Sequence, residues 1–420
     1  MKQSVGLVIL QVIGIVLGLV SVFWVAGSLP AEKYAVVGIY NIISTLILVF
    51  SNTGFETHAI RNILSWKEEG KTDSIKLIVT QAITFRTLIA SFIFLPVIGY
   101  AIYISSNKFE GQYLGLFVLM GFLSISKATN DATVLLLKAF NKYLAAAFVT
   151  YSVNVFGKLL ALLLFIEFGF NAYINTIMWL PLIITLPVIY MLRKNICFKG
   201  VFTKINIKKG VSESKFFAVS SYLSYIFNFM DQLLVSIFLS AEILGSFSVA
   251  KNILAMARTF IENIFDPLIQ NLVRFKQNFD EMKLRLNRIF KIKNILLIIS
   301  IIFIPFVFFF TDEILLLLNL DHYIVLNYYV FFIYIAQVFL IASKVKYNYI
   351  CLFFSQKSYL LITAVNSIST LFFFIITIII SPQLLFIHLL LTNILMFFYT
   401  EWKFKSTQNP YNYEIRITRR

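Results

Sequence analysis

The sequence predicts an all-α protein that crosses a membrane many times, and its composition is the first evidence. Of the 420 residues, 59% are hydrophobic and 13% are charged, and the mean hydropathy is +0.84. Soluble domains carry about 25% charged residues, so a soluble protein of this composition could not cover its surface with polar groups. At roughly 20 apolar residues per helical span, the apolar content fills about twelve spans.

Apolar runs separated by polar breaks locate these spans along the chain. The predicted spans are 5–27, 34–54, 77–103, 113–135, 144–166, 172–192, 216–239, 243–265, 294–311, 323–343, 358–380 and 383–400. The apolar run of the first span is longer than the about 7–15 residues of a signal-peptide core, so we expect this span to be retained.

The distribution of lysine and arginine predicts the orientation. With the N-terminus in the cytoplasm, 29 of the 36 cations lie in inner segments, two lie in outer loops and five lie within spans. This is the bias of the positive-inside rule, and it requires the weakly apolar segment 243–265 to cross the membrane. We therefore expect a multi-pass protein of the inner (cytoplasmic) cell membrane with both termini in the cytoplasm.

A basic segment near the midpoint divides the chain into two halves of six spans. The motif LPAE at Leu29 to Glu32 recurs as LSAE at Leu239 to Glu242, which favours two parallel repeats. The predicted organisation is an N-terminal lobe (1–192), a basic cytoplasmic linker (193–215), a C-terminal lobe (216–400) and a basic cytoplasmic tail (401–420).

The residues that usually carry chemistry argue against an enzyme. Two cysteines and three histidines lie too far apart for a metal-ligand signature, and the phosphate-loop motif G-x-x-x-x-G-K-[ST] is absent. The loops are too short for a catalytic or nucleotide-binding domain. We expect no catalytic residues, metal or cofactor, and the topology accounts for the net charge of +16 without a nucleic-acid partner. A secondary transporter or a channel fits these features.

Five cations within the predicted spans need an explanation, because each costs at least about 2.5–3.5 kcal/mol at the bilayer centre unless it meets a polar partner or cavity. They are Arg86, Lys127, Lys158, Lys251 and Arg258. Lys251 and Arg258 share one helix face, and Asn228 and Asp231 lie on a polar stripe of the preceding span. Two neighbouring polar stripes predict a hydrated interior surface.

The spans allow more than one role for Arg86 and Lys127. Each lies within about ten residues of a span end, so its side chain can snorkel toward the head groups, join a structural ion pair or line the cavity. Lys127 and Asp131 are four residues apart and either pair with each other or belong to the polar surface. Lys158 lies in mid-span, which favours the cavity. The excess of cations predicts an anionic cargo, such as an amphiphile with a phosphate head.

Motifs in both halves resemble a known family. In the stretch YIFNFMDQLLVSIFLSAEILGSFSVAKNILAMARTFIENIFDPLI, the matching residues are Asp231, Gly245, Phe247, Ala250, Lys251 and Pro267. In the first half they are Gly38, Tyr40, Gly54 and Arg61. The chain resembles the polysaccharide (O-antigen) flippases of the MOP exporter superfamily.

The resemblance implies two six-helix lobes around a central cationic cavity. It also implies that an undecaprenyl-diphosphate-linked oligosaccharide, an O-antigen, capsule or exopolysaccharide repeat unit, crosses the cytoplasmic membrane by alternating access. Membrane lipids, a polysaccharide polymerase and a chain-length regulator are the other expected partners. The expected substrate-binding residues are Lys251, Arg258, Lys158, Arg86, Lys127 and Arg61; the expected coupling or cavity residues are Asp231, Asn228 and Asp131.

Three alternatives remain. A cation-coupled multidrug exporter of the same superfamily would need an acid-rich cavity, which the cation excess opposes. A membrane polysaccharide polymerase or ligase usually needs a large outer loop with acid and base groups, whereas the predicted outer loops contain only Lys33 and Lys108 as cations. A scaffold protein would have little reason to keep two charged helix stripes.

Overall fold

A computed structural model of the chain describes residues 14–407, except 15, 19, 57–58, 60–62, 64–65, 68, 141, 199–200, 202, 273–278 and 354–355. Within this described part the regular structure is helical, and no strand is present. The chain divides into two compact units, Met1–Ser248 and Val249–Arg420.

The first unit begins with a short apolar helix, Val16–Gly27. The longer helices that follow are α1 (Ala31–Phe50), α2 (Thr72–Lys108), α3 (Leu114–Ala139), α4 (Tyr143–Tyr151), α5 (Gly157–Phe168), α6 (Phe170–Leu192) and α7 (Lys204–Phe238). A five-residue π-helical turn, Ser152–Phe156, joins α4 to α5. Helix α8 (Ala241–Leu272) belongs to the first unit up to Ser248 and to the second from Val249 onward.

The second unit continues with α9 (Phe279–Ile302), α10 (Ile304–Leu317), α11 (Leu326–Phe353), α12 (Gln356–Ile380) and α13 (Ile387–Thr407). Helices α9 and α10 meet at a bend of 54°. Pro305 occupies the first turn of α10, where its missing N–H leaves no helical hydrogen bond broken.

The apolar helices make this a multi-pass membrane protein. Six described helices are long and apolar enough to span a bilayer, or up to seven if the bent α9–α10 pair is one span. Helices α3 and α8, which carry several of the charged side chains described below, are not among them. Each of the predicted spans overlaps a described helix, but the count of about twelve spans and the division into two six-helix lobes stay predictions.

One central helix organises each unit. In the first unit, α3 packs against α1, α2, α4 and α6. In the second unit, α11 packs against α9, α10, α12 and α13. Because a central helix is enclosed by its neighbours, polar side chains on it are removed from lipid and must find partners within the unit.

The helices extend beyond several predicted span ends, because apolar content marks the membrane portion of a helix and not its full length. Helix α2 begins five residues before the predicted span 77–103 and ends five after it. Helix α11 continues to Phe353, ten residues past the predicted end of its span. Lys344, predicted to lie in an inner loop, is consequently a buried helical residue.

Two glycines of the family motif allow helices to approach closely within the first unit. A Cβ atom on Gly245 of α8 would lie 2.0 Å from the carbonyl oxygen of Ala31 in α1. A Cβ atom on Gly38 would lie 2.1 Å from the Oγ of Ser248. Small residues at such crossings are the usual means by which membrane helices pack backbone to backbone.

We expect the substitution Gly245→Ala to destabilise the protein by about 1–3 kcal/mol, because the methyl group would meet the main chain, which cannot rotate away as a side chain can. The thermal unfolding midpoint of the detergent-solubilised protein measures this effect. Gly99→Ala is the matched control, since nothing lies within 4 Å of a Cβ at this helical glycine. Equal unfolding midpoints for the two variants would contradict the prediction.

Candidate functional site

A buried ion cluster ties three parts of the first unit together. Arg86 of α2 is 1% exposed, as is Glu56 in the segment after α1. The guanidinium donates from Nη1 to Glu56 Oε1 at 3.4 Å and from Nη2 to Asp131 Oδ2 of α3 at 3.1 Å. The planar guanidinium suits this role because its donors are fixed in a fork and its charge is permanent. We call Arg86, Glu56 and Asp131 the arginine cluster.

The sequence left several roles open for Arg86, and the arginine cluster favours the structural ion pair. A contribution of Arg86 to substrate binding stays a prediction. The sequence did not identify Glu56, which was predicted to lie in an inner segment. A buried arginine requires a carboxylate partner, but nothing in the sequence shows that the partner is 30 residues away.

Lys127, one turn before Asp131 on α3, lies on the side of α3 that faces α1. Its Nζ is 5.1 Å from the centre of the Tyr40 ring. The Tyr40 hydroxyl donates to the carbonyl of Ile177 in α6 at 3.0 Å, so the ring is held between α1 and α6. An ammonium group over the face of a fixed aromatic ring is stabilised by the ring quadrupole, by about 0.5–2 kcal/mol.

Lys158, in the first turn of α5, is the second cation of this region. The charge of Lys127 is repelled by that of Lys158 and attracted by that of Asp131. The Lys158 carbonyl oxygen accepts a hydrogen bond of 3.4 Å from the Ser21 hydroxyl, which connects α5 to the helix Val16–Gly27. Both lysine side chains are partly accessible. We call Lys127 and Lys158 the lysine pair.

The lysine pair makes no ion pair with a carboxylate among the described residues. Within the described part of the chain, neither ammonium group makes a hydrogen bond or an ion pair. The Asp131 carboxylate, the predicted alternative partner of Lys127, forms its ion pair with Arg86 instead. Both carboxylates of the arginine cluster thus pair with one arginine, and Asp131 also attracts Lys127. The lysine pair carries more positive charge than this one shared carboxylate balances, and an anion can compensate the rest.

The second unit holds a cluster in which charges balance. Arg258 donates from Nε to Glu262 Oε1 at 3.0 Å, and Lys344 of α11 reaches the same oxygen at 3.1 Å. Lys344 also lies 3.5 Å from Asp266 Oδ1, which accepts a hydrogen bond of 2.6 Å from Asn348. Two cations and two carboxylates therefore connect α8 to α11.

The remaining predicted residues lie elsewhere in the fold. Lys251 is partly buried on α8, seven residues before Arg258. Asp231 of α7 is buried, and its Oδ1 accepts a hydrogen bond of 2.7 Å from the backbone N–H of Gln232. The Asn228 amide donates to the Ser224 carbonyl at 2.7 Å. Arg61 lies outside the described residues. Among the residues that are described, no group of histidine, cysteine and acidic side chains could hold a metal ion.

Solved structures of similar fold define the class. An inward-facing multidrug resistance MATE family transporter of the MOP superfamily superposes with a TM-score of 0.68 at 11% identity, covering 95% of this chain and 99% of that one. The lipid II flippase MurJ, in an inward closed conformation, gives 0.66 at 15% identity, with 96% and 87% covered. A mutant of the Vibrio cholerae MATE transporter VcmN gives 0.55 at 12% identity, with 97% and 98% covered. The protein has the fold of these MOP-superfamily membrane transporters.

The family assignment is narrower than the fold. A family model described as "Polysaccharide biosynthesis protein" matches residues 1–273, and the chain belongs to this family. The resemblance drawn from the motifs on α1, α7 and α8 is thereby confirmed. No curated protein matches the chain.

We expect Arg86→Ala to destabilise the protein by about 3–5 kcal/mol, because it leaves the buried Glu56 carboxylate without its countercharge. Arg285→Ala is the comparison, since Arg285 pairs with Glu281 at 2.7 Å on the exposed face of α9. Loss of such an exposed pair costs about 0.2–1 kcal/mol. Unfolding midpoints and detergent-extractable yields of both variants measure the difference. Equal loss in the two variants would show that the arginine cluster contributes little to stability.

Proposed function

We propose that this protein is a flippase that moves an undecaprenyl-diphosphate-linked oligosaccharide across the cytoplasmic membrane by alternating access. The family of polysaccharide biosynthesis proteins supports a saccharide cargo, and the MOP-superfamily fold supports transport. The observation that carries the proposal is the lysine pair, two cations in predicted spans whose ammonium groups make no ion pair or hydrogen bond among the described residues.

The lysine pair provides the chemistry that such a cargo needs. A diphosphate carries several negative oxygens, and each ammonium group can donate a charge-assisted hydrogen bond to one of them. In a site of low dielectric these bonds are stronger than in water, while the undecaprenyl chain stays among the lipid tails. Binding also relieves the mutual repulsion of Lys127 and Lys158. The complex of cargo and site therefore has a lower free energy than the two apart.

The other predicted residues receive supporting roles in the proposal. Arg86 holds Asp131 away from Lys127, so that Lys127 is available to the cargo. Lys251 and Arg258 engage the diphosphate or acidic sugars from α8, and Arg61 engages the head group near the cytoplasm. Asp231, Asn228 and Asp131 contribute to ion or proton coupling or to the polar lining. These last two sentences rest on the residue types and the family.

The proposal places the protein in the inner cell membrane with both termini in the cytoplasm, and it retains the predicted lobes 1–192 and 216–400. The repeat unit belongs to O-antigen (lipopolysaccharide), capsule or exopolysaccharide synthesis. A polymerase and a chain-length regulator would act on the delivered units.

A multidrug exporter is the second candidate function, and the likeness to MATE transporters favours it. Such an exporter binds cationic compounds and needs available carboxylates. Each of the four described carboxylates of the two clusters contacts a cation of the protein. Glu56 and Asp131 contact Arg86. Glu262 contacts Arg258 and Lys344, and Asp266 contacts Lys344. The charge arrangement therefore favours an anionic cargo over a cationic drug.

We expect Lys127→Gln and Lys158→Gln each to weaken binding of an undecaprenyl-diphosphate saccharide about tenfold or more, since each removes a charge-assisted hydrogen bond. Tryptophan fluorescence or native mass spectrometry of the purified protein measures the affinity. Lys33→Gln is the matched control, because Lys33 is an exposed lysine at the start of α1.

The same variants, together with Lys251→Gln and Arg258→Gln, are then compared for surface polysaccharide in complemented cells at equal protein levels. Unchanged binding and export in the lysine-pair variants would reject the proposed site. Binding of cationic drugs in place of the lipid-linked saccharide would support the exporter.

The orientation has its own test. A green fluorescent protein fused after Thr407 should fluoresce and alkaline phosphatase at the same position should be inactive, because the first folds only in the cytoplasm and the second only outside it. Phosphatase inserted at Gly111, in the turn between α2 and α3, should be active. The reverse pattern would overturn the predicted topology.

A further inference from the structure

A lysine lies on the buried side of α9 in the second unit. The buried residues Met282, Leu286 and Ile289 follow one stripe of α9 at intervals of three and four residues, and Lys293 is the next position of that stripe. Lys293 is 9% exposed, whereas Lys291, two residues earlier, is exposed. Lys293 thus occupies a position of the buried stripe where an apolar residue is expected.

The ammonium group of Lys293 has an aromatic neighbour and no carboxylate partner. Its Nζ lies 5.6 Å from the centre of the Phe290 ring. Within the described part of the chain it makes no hydrogen bond or ion pair. The ring quadrupole compensates only part of the cost of removing an ammonium group from water, so the buried charge calls for a further partner.

A second lysine contacts the same ring. The Nζ of Lys346 in α11 lies 5.9 Å from the centre of the Phe290 ring and 5.6 Å from that of Phe404 in α13. The two rings meet edge to face with their centres 6.0 Å apart. Lys346 also forms an ion pair with Glu401 of α13. We call Lys293, Lys346, Glu401 and the two rings the Phe290 site.

The Phe290 site has one positive charge in excess. Glu401 pairs with Lys346 and also attracts Lys293, while the two lysines repel each other. One carboxylate cannot balance two ammonium groups. An anion bound at Lys293 would complete the charge balance of the site.

The surroundings of the Phe290 site indicate which kind of anion fits. Trp402, next to Glu401, is 61% exposed, and the Nζ of Lys403 lies 5.7 Å from its ring. Exposed tryptophan and lysine are typical of the level at which a membrane protein meets the lipid head groups. From Ile295 to Ile302 the exposed side chains of α9 are all isoleucines. A charged head beside an apolar strip matches the shape of a phospholipid.

The predicted topology assigns the charged residues of the site to one side of the membrane. Lys293, Lys346 and Glu401 come from three separate predicted inner segments, 266–293, 344–357 and 401–420. The structure brings these three segments together in one unit. Basic pockets between helices on the cytoplasmic side of a membrane are suited to anionic lipid head groups.

We propose that the Phe290 site binds an anionic phospholipid of the inner leaflet. Lys293 donates a charge-assisted hydrogen bond to the phosphate, and an acyl chain lies along the exposed isoleucines of α9. This lipid is a resident of the second unit and is not transported, so the inference goes beyond the proposed function. Because the proposed cargo also carries phosphate, the experiment separates the two lipids.

Native mass spectrometry of the purified full-length protein, titrated with phosphatidylglycerol, measures binding of the first lipid molecule. Lys293→Gln should bind it about tenfold more weakly than the wild type, since one charge-assisted hydrogen bond is lost. Lys293→Arg keeps the charge and should keep most of the affinity. Lys291→Gln is the matched control, an exposed lysine on the same helix, and should bind like the wild type. Equal affinities of Lys293→Gln and the wild type would overturn the proposal.

Unfolding midpoints separate a lipid site from a structural role of Lys293. In lipid-free detergent, Lys293→Met should unfold at the temperature of the wild type or higher, because it removes a charge without an ion-pair partner from the buried stripe. Phosphatidylglycerol should raise the midpoint of the wild type and leave that of Lys293→Met unchanged, since a ligand stabilises only the protein that binds it. If the lipid raises both midpoints equally, Lys293 does not bind it.

Further probes identify the source of the phosphate. Phosphatidylcholine and inorganic phosphate should each bind about tenfold more weakly than phosphatidylglycerol, because the first has no net charge and the second has no hydrocarbon chain. Displacement of phosphatidylglycerol by inorganic phosphate at equal concentration would show a site for a small anion and overturn the lipid assignment.

Two cross-tests distinguish this inference from the proposed function. Lys293→Gln should bind undecaprenyl diphosphate like the wild type, and Lys127→Gln should keep its affinity for phosphatidylglycerol. A loss of both lipids in Lys293→Gln would assign the Phe290 site to the cargo and reject a separate phospholipid. A wild type that binds phosphatidylglycerol at Lys293 but no undecaprenyl diphosphate would reject the proposed function and leave the phospholipid site intact.

Discussion

The ion cluster at Arg86 is the interaction on which the arrangement of the first unit depends. One buried guanidinium contacts two carboxylates, on α3 and on the segment that follows α1. Removing the Arg86 and Glu56 charges from water costs several kcal/mol each, so these two buried groups are stable only together, whereas the Asp131 side chain stays 41% exposed. The ion cluster fixes α2 against α3. It also affects the electrostatics nearby, because Asp131 forms its ion pair with Arg86, and Lys127, one turn away, makes no ion pair with it although the two charges attract each other.

The two units differ in how the cations within their helices are paired with carboxylates. In the second unit, Arg258 and Lys344 meet Glu262 and Asp266, so the contacts between α8 and α11 are electrically balanced. In the first unit, Arg86 pairs with Glu56 and Asp131, while Lys127 and Lys158 make no ion pair among the described residues. A cluster whose charges are paired needs only helix packing to account for it, whereas charges that are not paired within the protein favour a bound ligand. This contrast makes the first unit the stronger candidate for binding the proposed anionic cargo.

The sequence predicted the helices well because bilayer thickness forces each span into a long apolar run that can be recognised without a structure. It also identified all of Arg86, Lys127 and Lys158, since any charge in such a run is conspicuous. It could not identify Glu56 or Lys344, because both lie just beyond the apolar runs, where charged residues are ordinary. Lys344 lies on a helix that extends past its predicted end, and the partners of Glu56 and Lys344 are 30 and 82 positions away in the chain.

Arginine suits a permanent contact within the protein, and lysine suits a transient contact with a cargo. Arginine presents a rigid fork of donors and is weakly hydrated, which suits a buried pair that must persist while the protein changes conformation. Lysine is a compact, strongly hydrated point charge on a flexible stem, so it can exchange a phosphate oxygen for water at little cost. A flippase has to release what it binds. The proposed cargo site, built from Lys127 and Lys158 beside a structural ion pair built from Arg86, meets both requirements, because the groups that stabilise the fold are not the groups that bind and release the cargo.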